Sequence, residues 1–245
     1  EAIVEKTNLS IENIKDVLPF IAKIPAVKTF DITQAEPLFN SLLKTYPSVS
    51  AVTLIDKTGQ EMSKISQESY YTSADFKNVA SSPGFEAAIK GKTYISNVKI
   101  SSRSYPYVTV SVPVPLFVGR YVGVLQADVN LSEIGDLVTG TKIGNTGYAF
   151  IVDNNGQVLF HPNKQLVLQK ANLSSHPVVK AFKSGNSTRK IFVLSDGQEV
   201  LGTGTPIKSL GWTVIVIQPT QEAFAVARSM RAEISTQTNN TLALT

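Results

Sequence analysis

The chain of 245 residues has no cysteine, which removes disulfide scaffolds, thiol nucleophiles and cysteine-based zinc sites in one step. Histidine is nearly as scarce. His161 and His176 are the only two, each directly precedes a proline, and they lack the spacing and carboxylate company of a metal pair. Roles in turns are expected for both. Long apolar runs are missing too, so no segment reaches the roughly 20 residues that span a bilayer. The formal net charge of +4 is spread along the chain without a block of one sign, which leaves out the clustered Lys and Arg footprint of a nucleic-acid binder. There is no Gly-x-Ser-x-Gly elbow and no Lys-bearing phosphate loop. Neither enzyme activity, a cofactor, a metal nor a nucleic-acid partner is therefore expected. The start at Glu1, without Met or a leader, points to a piece of a longer protein, and the lack of thiols is compatible with an exported domain.

What is present is globular: 42% apolar and 17% charged residues, in a length that suits one large domain or two small ones. Two stretches share a grammar. Gly144 to Pro162 reads as a tight turn, a buried strand, an Asn155-Gly156 hairpin turn and a second strand stopped by Pro162. Ala51 to Met62 repeats it as an apolar run, Asp56, a polar turn ending in Gly59-Gln60 and a strand leaving. The pair indicates two similar modules. Asp153-Asn154-Asn155-Gly156 also opens like a calcium loop, but position 164 is Lys where such a loop needs Glu, and a hairpin turn explains it fully.

In chain order, Ile3, Val4, Ile11, Ile14, Val17, Leu18 and Ile21 recur at helical spacing, giving an amphipathic N-terminal helix that Pro19 should kink or end. Asp31 or Thr33 can cap a second helix through Leu42 and Leu43 that Pro47 stops. A polar and aromatic loop, 66–75, leads to a short helix over 86–90 closed by Gly91. Tyr105 to Pro115 alternates strictly, with Tyr105, Tyr107, Thr109 and Ser111 on one face and Val108, Val110 and Val112 on the other. Tyr121 to Val129 returns as its antiparallel partner. The second module holds its hairpin, a helix over 177–183, and strands over 187–194, 199–207 and 212–218, with Gly202-Thr203-Gly204 read as a close-packing bulge and Trp212 as core. A helix over 221–241 ends the chain. The class is α+β, an antiparallel sheet flanked by helices in each module.

Gly144-x-Thr146-Gly147-Tyr148-x-Phe150-Ile151-Val152-Asp153-x-x-Gly156 with His161-Pro162, then Thr205-Pro206-Ile207 and Gly211-Trp212, resembles the membrane-proximal module of double Cache sensor domains. Tyr121 to Val129, preceded by Ser111-Val112-Pro113-Val114, resembles the core of the membrane-distal one. The resemblance implies a long N-terminal helix and two PAS-like modules: a helical region 1–47, a distal module 48–140, a proximal module 141–220 and a C-terminal helix 221–245 leading toward the membrane. It implies an extracytoplasmic sensor, periplasmic or extracellular, set between transmembrane helices that this chain lacks, serving a chemoreceptor or a sensor histidine kinase. A small ligand would sit in the distal module, and a homodimer through the N-terminal helix would fit. The amino-acid-binding branch holds a carboxylate with an Arg-x-Trp-Tyr element and an ammonium with an Asp. Asp128 stands at the Asp position, but Ser82-Pro83-Gly84-Phe85 replaces the other element and loses the guanidinium.

The candidate ligand-binding residues are therefore Asp128, Gln126, Tyr107, Thr109 and Tyr105 on the two paired strands, with Phe85, Tyr94, Tyr70 and Tyr71 as lid candidates. Arg103 or Lys92 could supply the missing cation. Asp128 could equally cap the helix that begins near Leu131, and strand tyrosines are common on solvent faces. An amine, an amino-acid-like compound or an organic acid all suit this set. The rivals are a degenerate pocket whose surface binds a partner protein, and a secreted enzyme.

Overall fold

Ile3, Thr7, Ile11, Ile14 and Leu18 are all buried, and this three-and-four spacing makes one helix, α1 (Ala2–Ile21), in a computed structural model that describes residues 2–103, 105–182 and 189–225. The helix runs two residues beyond Pro19, because so near its end the missing N–H removes only one bond. After α2 (Pro25–Lys28), the Asp31 side chain accepts from the Gln34 amide at 3.3 Å and starts α3 (Ile32–Thr45).

The chain divides into two units, residues 1–134 and 135–245. The first sheet is built from β1 (Val49–Asp56), β2 (Glu61–Ser66), β3 (Tyr94–Ile95), β4 (Lys99–Ile100), β5 (Pro106–Phe117) and β6 (Arg120–Asn130). Their order is β2-β1-β6-β5-β3, with β4 also on β5, and every pairing is antiparallel. Period-two alternation sorts the side chains. Val52, Leu54, Val108, Val110, Val112, Leu125 and Ala127 are fully buried on the face against which α1, α2 and α3 pack. The other face carries Thr53, Lys64, Tyr107, Thr109, Ser111, Gln126 and Asp128, and α4 (Pro83–Ala88) lies across one end of it. That helix starts earlier than its sequence suggested, because Ser82 caps the Phe85 amide and Pro83 takes the first turn.

From α5 (Ser132–Gly140) the chain enters the second unit: β7 (Lys142–Ile143), β8 (Gly147–Val152), β9 (Val158–Phe160), α6 (Lys164–Leu168), α7 (Pro177–Phe182), β10 (Lys190–Val193), β11 (Glu199–Ile207), β12 (Trp212–Pro219) and α8 (Thr220–Ala223). The sheet order is β10-β11-β12-β8-β7, with β9 on β8. Helix α6 was not anticipated; it is short, and its Asn163 cap, accepting from Gln165 at 3.0 Å, is the only strong local signal. Residues 183–188 and most of the expected C-terminal helix lie outside the described residues.

The two units repeat one clasp. Asp56 Oδ1 accepts from the amides of Thr58 and Gln60 at 2.8 and 3.0 Å, and Asp153 Oδ1 accepts from Asn155 and Gln157, both at 2.8 Å. A later asparagine then returns to each turn: Asn78 Nδ2 donates to the Thr58 carbonyl at 3.2 Å, and Asn172 Nδ2 to the Asn155 carbonyl at 3.1 Å. Gly59 and Gly156, at φ +87° and +81°, let Ala80 and Ser174 press against these turns.

The helix that follows each clasp meets its sheet differently. In the second unit Val178 and Phe182 of α7 drive into Gly202 and Gly204 of β11, so close that a Cβ at either glycine would collide. No bulge is present there. The β11–β12 register runs unbroken from Val200 to Ile207, which corrects the bulge expected from Gly202-Thr203-Gly204; the glycines make room for α7 and, at Gly202, for the Phe192 ring as well. In the first unit the glycine is on the helix instead: a Cβ at Gly84 would stand 2.6 Å from Ser111 Oγ. Gly204→Ala should therefore overpack α7 and destabilise the protein by about 1–3 kcal/mol, read as a lower urea midpoint at unchanged slope.

Candidate functional site

Strand register places the candidate residues before any side chain is considered. Asp128 pairs with Ala51 on one side and Thr109 on the other, and Gln126 pairs with Thr53 and Ser111 in the next row of the same face. Lys64 lies opposite Thr53, and Lys99 opposite Tyr107. Ala51, the neighbour of Asp128 on β1, pairs on its other side with Ser66 of β2, two residues from Lys64.

Polar contacts fix this face. Thr109 Oγ1 donates to Asp128 Oδ1 at 2.6 Å and accepts from Lys99 Nζ at 3.2 Å, while its amide donates to Ser96 Oγ at 2.9 Å. Asp128 Oδ2 accepts no hydrogen bond among the described residues. The Lys99 ammonium also lies 5.7 Å from the centre of the Tyr107 ring, and Lys64 Nζ lies 4.9 Å from that of Tyr71. Burial pushes the Asp128 carboxyl above the usual carboxylate range; the Thr109 hydrogen bond and the charges of Lys99 and Lys64 oppose the shift, and Glu61 adds to it. Burial and then the Asp128 charge likewise raise Tyr107.

The structure thus brings together Asp128, Thr109, Tyr107 and Tyr71. Tyr105 meets Tyr107 edge-on, with ring centres 6.3 Å apart, and donates to Glu68 Oε2 at 2.8 Å. Arg103 is engaged at the same glutamate, through the Glu68 carbonyl and a 3.9 Å ion pair, and stays largely exposed. Gln126 is turned to Ser111, donating to its hydroxyl at 3.0 Å. Tyr94 stands beside Gly84 on the α4 side. Phe85 is core, packed with Ile55, Ala88 and Val124, and Tyr70 is 91% exposed. Lys92 is exposed as well. Lys64 and Lys99 were missed. Lys64 was within reach of hairpin arithmetic, since the turn at Gly59 sets it opposite Thr53; Lys99 sits on a two-residue strand that leaves no period to read.

The second sheet offers no such set at the matching positions. Where the first has Thr109–Asp128 and Ser111–Gln126, the second pairs Gly202 with Ile217 and Gly204 with Ile215. Its polar groups are the histidines. His161 packs against Tyr148 and Phe150 with ring centres 5.2 and 5.3 Å apart, and its Nδ1 accepts from the Asn163 amide at 2.8 Å. His176 lies edge-on to Phe150 at 6.5 Å. Burial lowers both below 6.5, and the neighbouring His176 lowers His161 further. The Gly144–Thr146 turn has a structural partner in Glu222, whose carboxylate accepts from the Asn145 and Thr146 amides at 2.7 and 3.2 Å and from the Thr146 hydroxyl at 2.5 Å.

Two helix-backed antiparallel sheets, one carrying a polar, carboxylate-centred face, define a tandem sensor architecture. The chain belongs to the Cache domain family, whose model matches residues 1–227, and it is a double Cache sensor domain, not an enzyme. Among curated proteins it is 31% identical over 117 residues to the methyl-accepting chemotaxis protein McpG of Pseudomonas putida, and 26% identical over 132 residues to PscA of Pseudomonas syringae pv. tomato. These matches take in 46% and 53% of this chain and only 18% and 20% of those receptors. Among solved structures, the extracellular domain of a protein described as a histidine kinase, mmHK1S-Z2, superposes with a TM-score of 0.73 at 18% identity, covering 89% of this chain and 94% of that one. The ligand-binding domain of the Pseudomonas aeruginosa chemoreceptor PctC in complex with GABA gives 0.65 at 17% identity, covering 89% and 95%.

Two outcomes follow from the charges. Asp128→Asn keeps an acceptor for Thr109 and removes the buried charge, so it should stabilise the unliganded protein near neutral pH by about 1 kcal/mol, measured as a raised melting temperature. A drop would show that the lysines outweigh desolvation. For the histidines the native values lie below 6.5, so the unfolded chain binds protons first: stability is full above pH 6.5 and is lost as pH falls from there through the lowered native values. His161→Asn with His176→Asn should flatten that loss in urea titrations between these limits.

Proposed function

We propose that the chain is the extracytoplasmic sensing part of a transmembrane receptor, a chemoreceptor or a sensor histidine kinase, and that its ligand binds in the first module beside Asp128. The single observation behind the assignment is a carboxylate held at high energy on a polar sheet face, with one oxygen fixed by Thr109 and the other without a partner among the described residues. The matching face of the second module is apolar and covered by α7, which supports a division of labour. The chemotaxis relatives support the receptor context, and the GABA complex of PctC supports an amine, amino-acid-like or organic-acid ligand.

The module boundaries near 47, 140 and 220 belong to this reading, with the C-terminal segment leading to a membrane helix. A homodimer through α1 fits the exposed Leu9 and Phe20, three helical turns apart on one side. Signalling would then be a population shift: a ligand preferring one packing of the first module biases α1 and the C-terminal segment by no more than its differential affinity.

A thermal-shift screen of small metabolites tests the assignment. A ligand at a hundred times its Kd should stabilise the protein by about 2.7 kcal/mol, and Asp128→Ala should abolish the rise while the unliganded variant still melts cooperatively. A full response from the variant would move the site elsewhere. A protein partner in place of any metabolite would favour a surface-recognition module.

A further inference from the structure

The hairpin joining β5 to β6 ends in an apolar run that stays exposed. Pro115 pairs with Tyr121 and Phe117 with Arg120, and the register slips on both sides of Pro115, so Leu116 falls in a bulge and the alternation of the strand stops there. Leu116, Phe117 and Val118 are consequently all turned to solvent, at 44, 57 and 102% exposure. Gly119, at φ +76°, closes the turn, and even a Cβ added to it would meet nothing within 4 Å. Three consecutive large apolar side chains on a free tip call for a partner. The tip also lies at the far end of its unit from the start of α1 and the link to α5. Lys6, in the second turn of α1, forms a 2.6 Å ion pair with Glu133, just past the last residue of β6, whereas Arg120 is the first. The 11 residues of β6 separate these two ends by about 35 Å.

Cations stand behind the tip. The Arg120 guanidinium lies 5.7 Å from the centre of the Phe117 ring. Gly91 rests against the side chain of Tyr121, the residue after Arg120, and Lys90 and Lys92 on either side of that glycine are exposed. Lys57 is exposed in the β1–β2 turn, directly after Asp56, which pairs with Gly123. Of the acids on these segments, Asp56 has its Oδ1 tied to the Thr58 and Gln60 amides, and Glu86 sits a turn earlier, on α4. Positive charge therefore prevails around the apolar residues.

We propose that this tip docks on an anionic lipid surface, with Leu116, Phe117 and Val118 entering the acyl boundary while Arg120, Lys57, Lys90 and Lys92 meet the phosphates. Three side chains on one narrow turn offer too little area for a stable protein interface, which takes about 800 Å² from each partner. They suffice for the roughly 5–10 Å depth that interfacial anchors reach. A lipid surface also receives cations at any bearing around the tip, where a protein would have to match each one. The inference stands apart from the site beside Asp128 and does not depend on it.

Because the chain has no cysteine, a Val118→Cys variant carries a single polarity-sensitive fluorophore at the tip. With vesicles of equal parts phosphatidylglycerol and phosphatidylcholine the label should brighten and shift to the blue, and the same label on Leu168→Cys, 81% exposed in the second unit, should not. In sedimentation the unmodified chain should partition onto these vesicles, less as salt rises, and onto pure phosphatidylcholine at least about tenfold more weakly. Phe117→Ser combined with Val118→Ser should lower partition at least about tenfold at a nearly unchanged melting temperature, since both side chains are exposed. Lys90→Gln and Lys92→Gln should each lower it about fivefold. No partition of the chain, or equal partition of the double variant, would overturn the proposal. A Val118 label that ignores vesicles but self-quenches as the protein is concentrated would give the tip to a second copy of the chain, and an equal response at Leu168 would make the binding nonspecific; either result overturns it as well.

Discussion

How closely one short helix approaches each sheet decides what each module can do. In the second unit the approach is made by giving the strand no side chains: Gly202 and Gly204 accept Val178 and Phe182, and the result is a continuous apolar core with Phe150, Ile215 and Ile217. In the first unit the helix yields instead, with Gly84 against Ser111. The strand can then keep hydroxyl, amide and carboxylate side chains on that face, since the helix adds nothing that would have to displace them. One exchange of small for large across the seam turns a packed core into a polar surface.

Both seams depend on the clasp that precedes them. The Asp-to-turn and Asn-to-turn hydrogen bonds fix where the chain leaves the hairpin and where it returns to start the helix, and the spacing from Asn78 to Pro83 equals that from Asn172 to Pro177. Identical scaffolding therefore delivers two helices to equivalent places over two sheets. What differs afterward is only the side-chain size at the contact. This is why the most legible stretch of the chain, around Gly144 to Pro162, belongs to scaffolding: turn chemistry demands Asp, Asn and Gly wherever the hairpin is made, whatever the face beyond it binds.

That also marks how far sequence reasoning reaches. Alternation along Tyr107 to Val112 placed two faces correctly, and a period of two leaves no other arrangement once Val108 and Val110 are buried. Apolar spacing in α1 and the cap at Asp31 were equally readable. The candidate site was legible only along those long strands. Asp128, Thr109 and Tyr107 share a face by register, whereas Phe85, distant from them in sequence, is a core residue packed with Ile55, Ala88 and Val124. Lys99 and Arg103 sit in a polar stretch with no period, and only tertiary pairing separates the lysine that faces Asp128 from the arginine that faces Glu68. The Gly202-Thr203-Gly204 reading failed for a related reason: a glycine pair reports that something comes close, without saying whether backbone or helix does.

The energetic consequence lies at Asp128. A carboxylate raised by burial makes the empty module less stable than an amide there would, and the chain tolerates this because Thr109, itself positioned by Ser96, and two nearby ammoniums recover part of the cost. The unrecovered part remains available to whatever completes the site. On the proposed reading, a ligand that gives the free oxygen a partner can bias the module by no more than its differential affinity for two packings. The second module, whose core is already complete, has no comparable deficit to relieve. The asymmetry between two copies of one scaffold follows from where the glycines were placed.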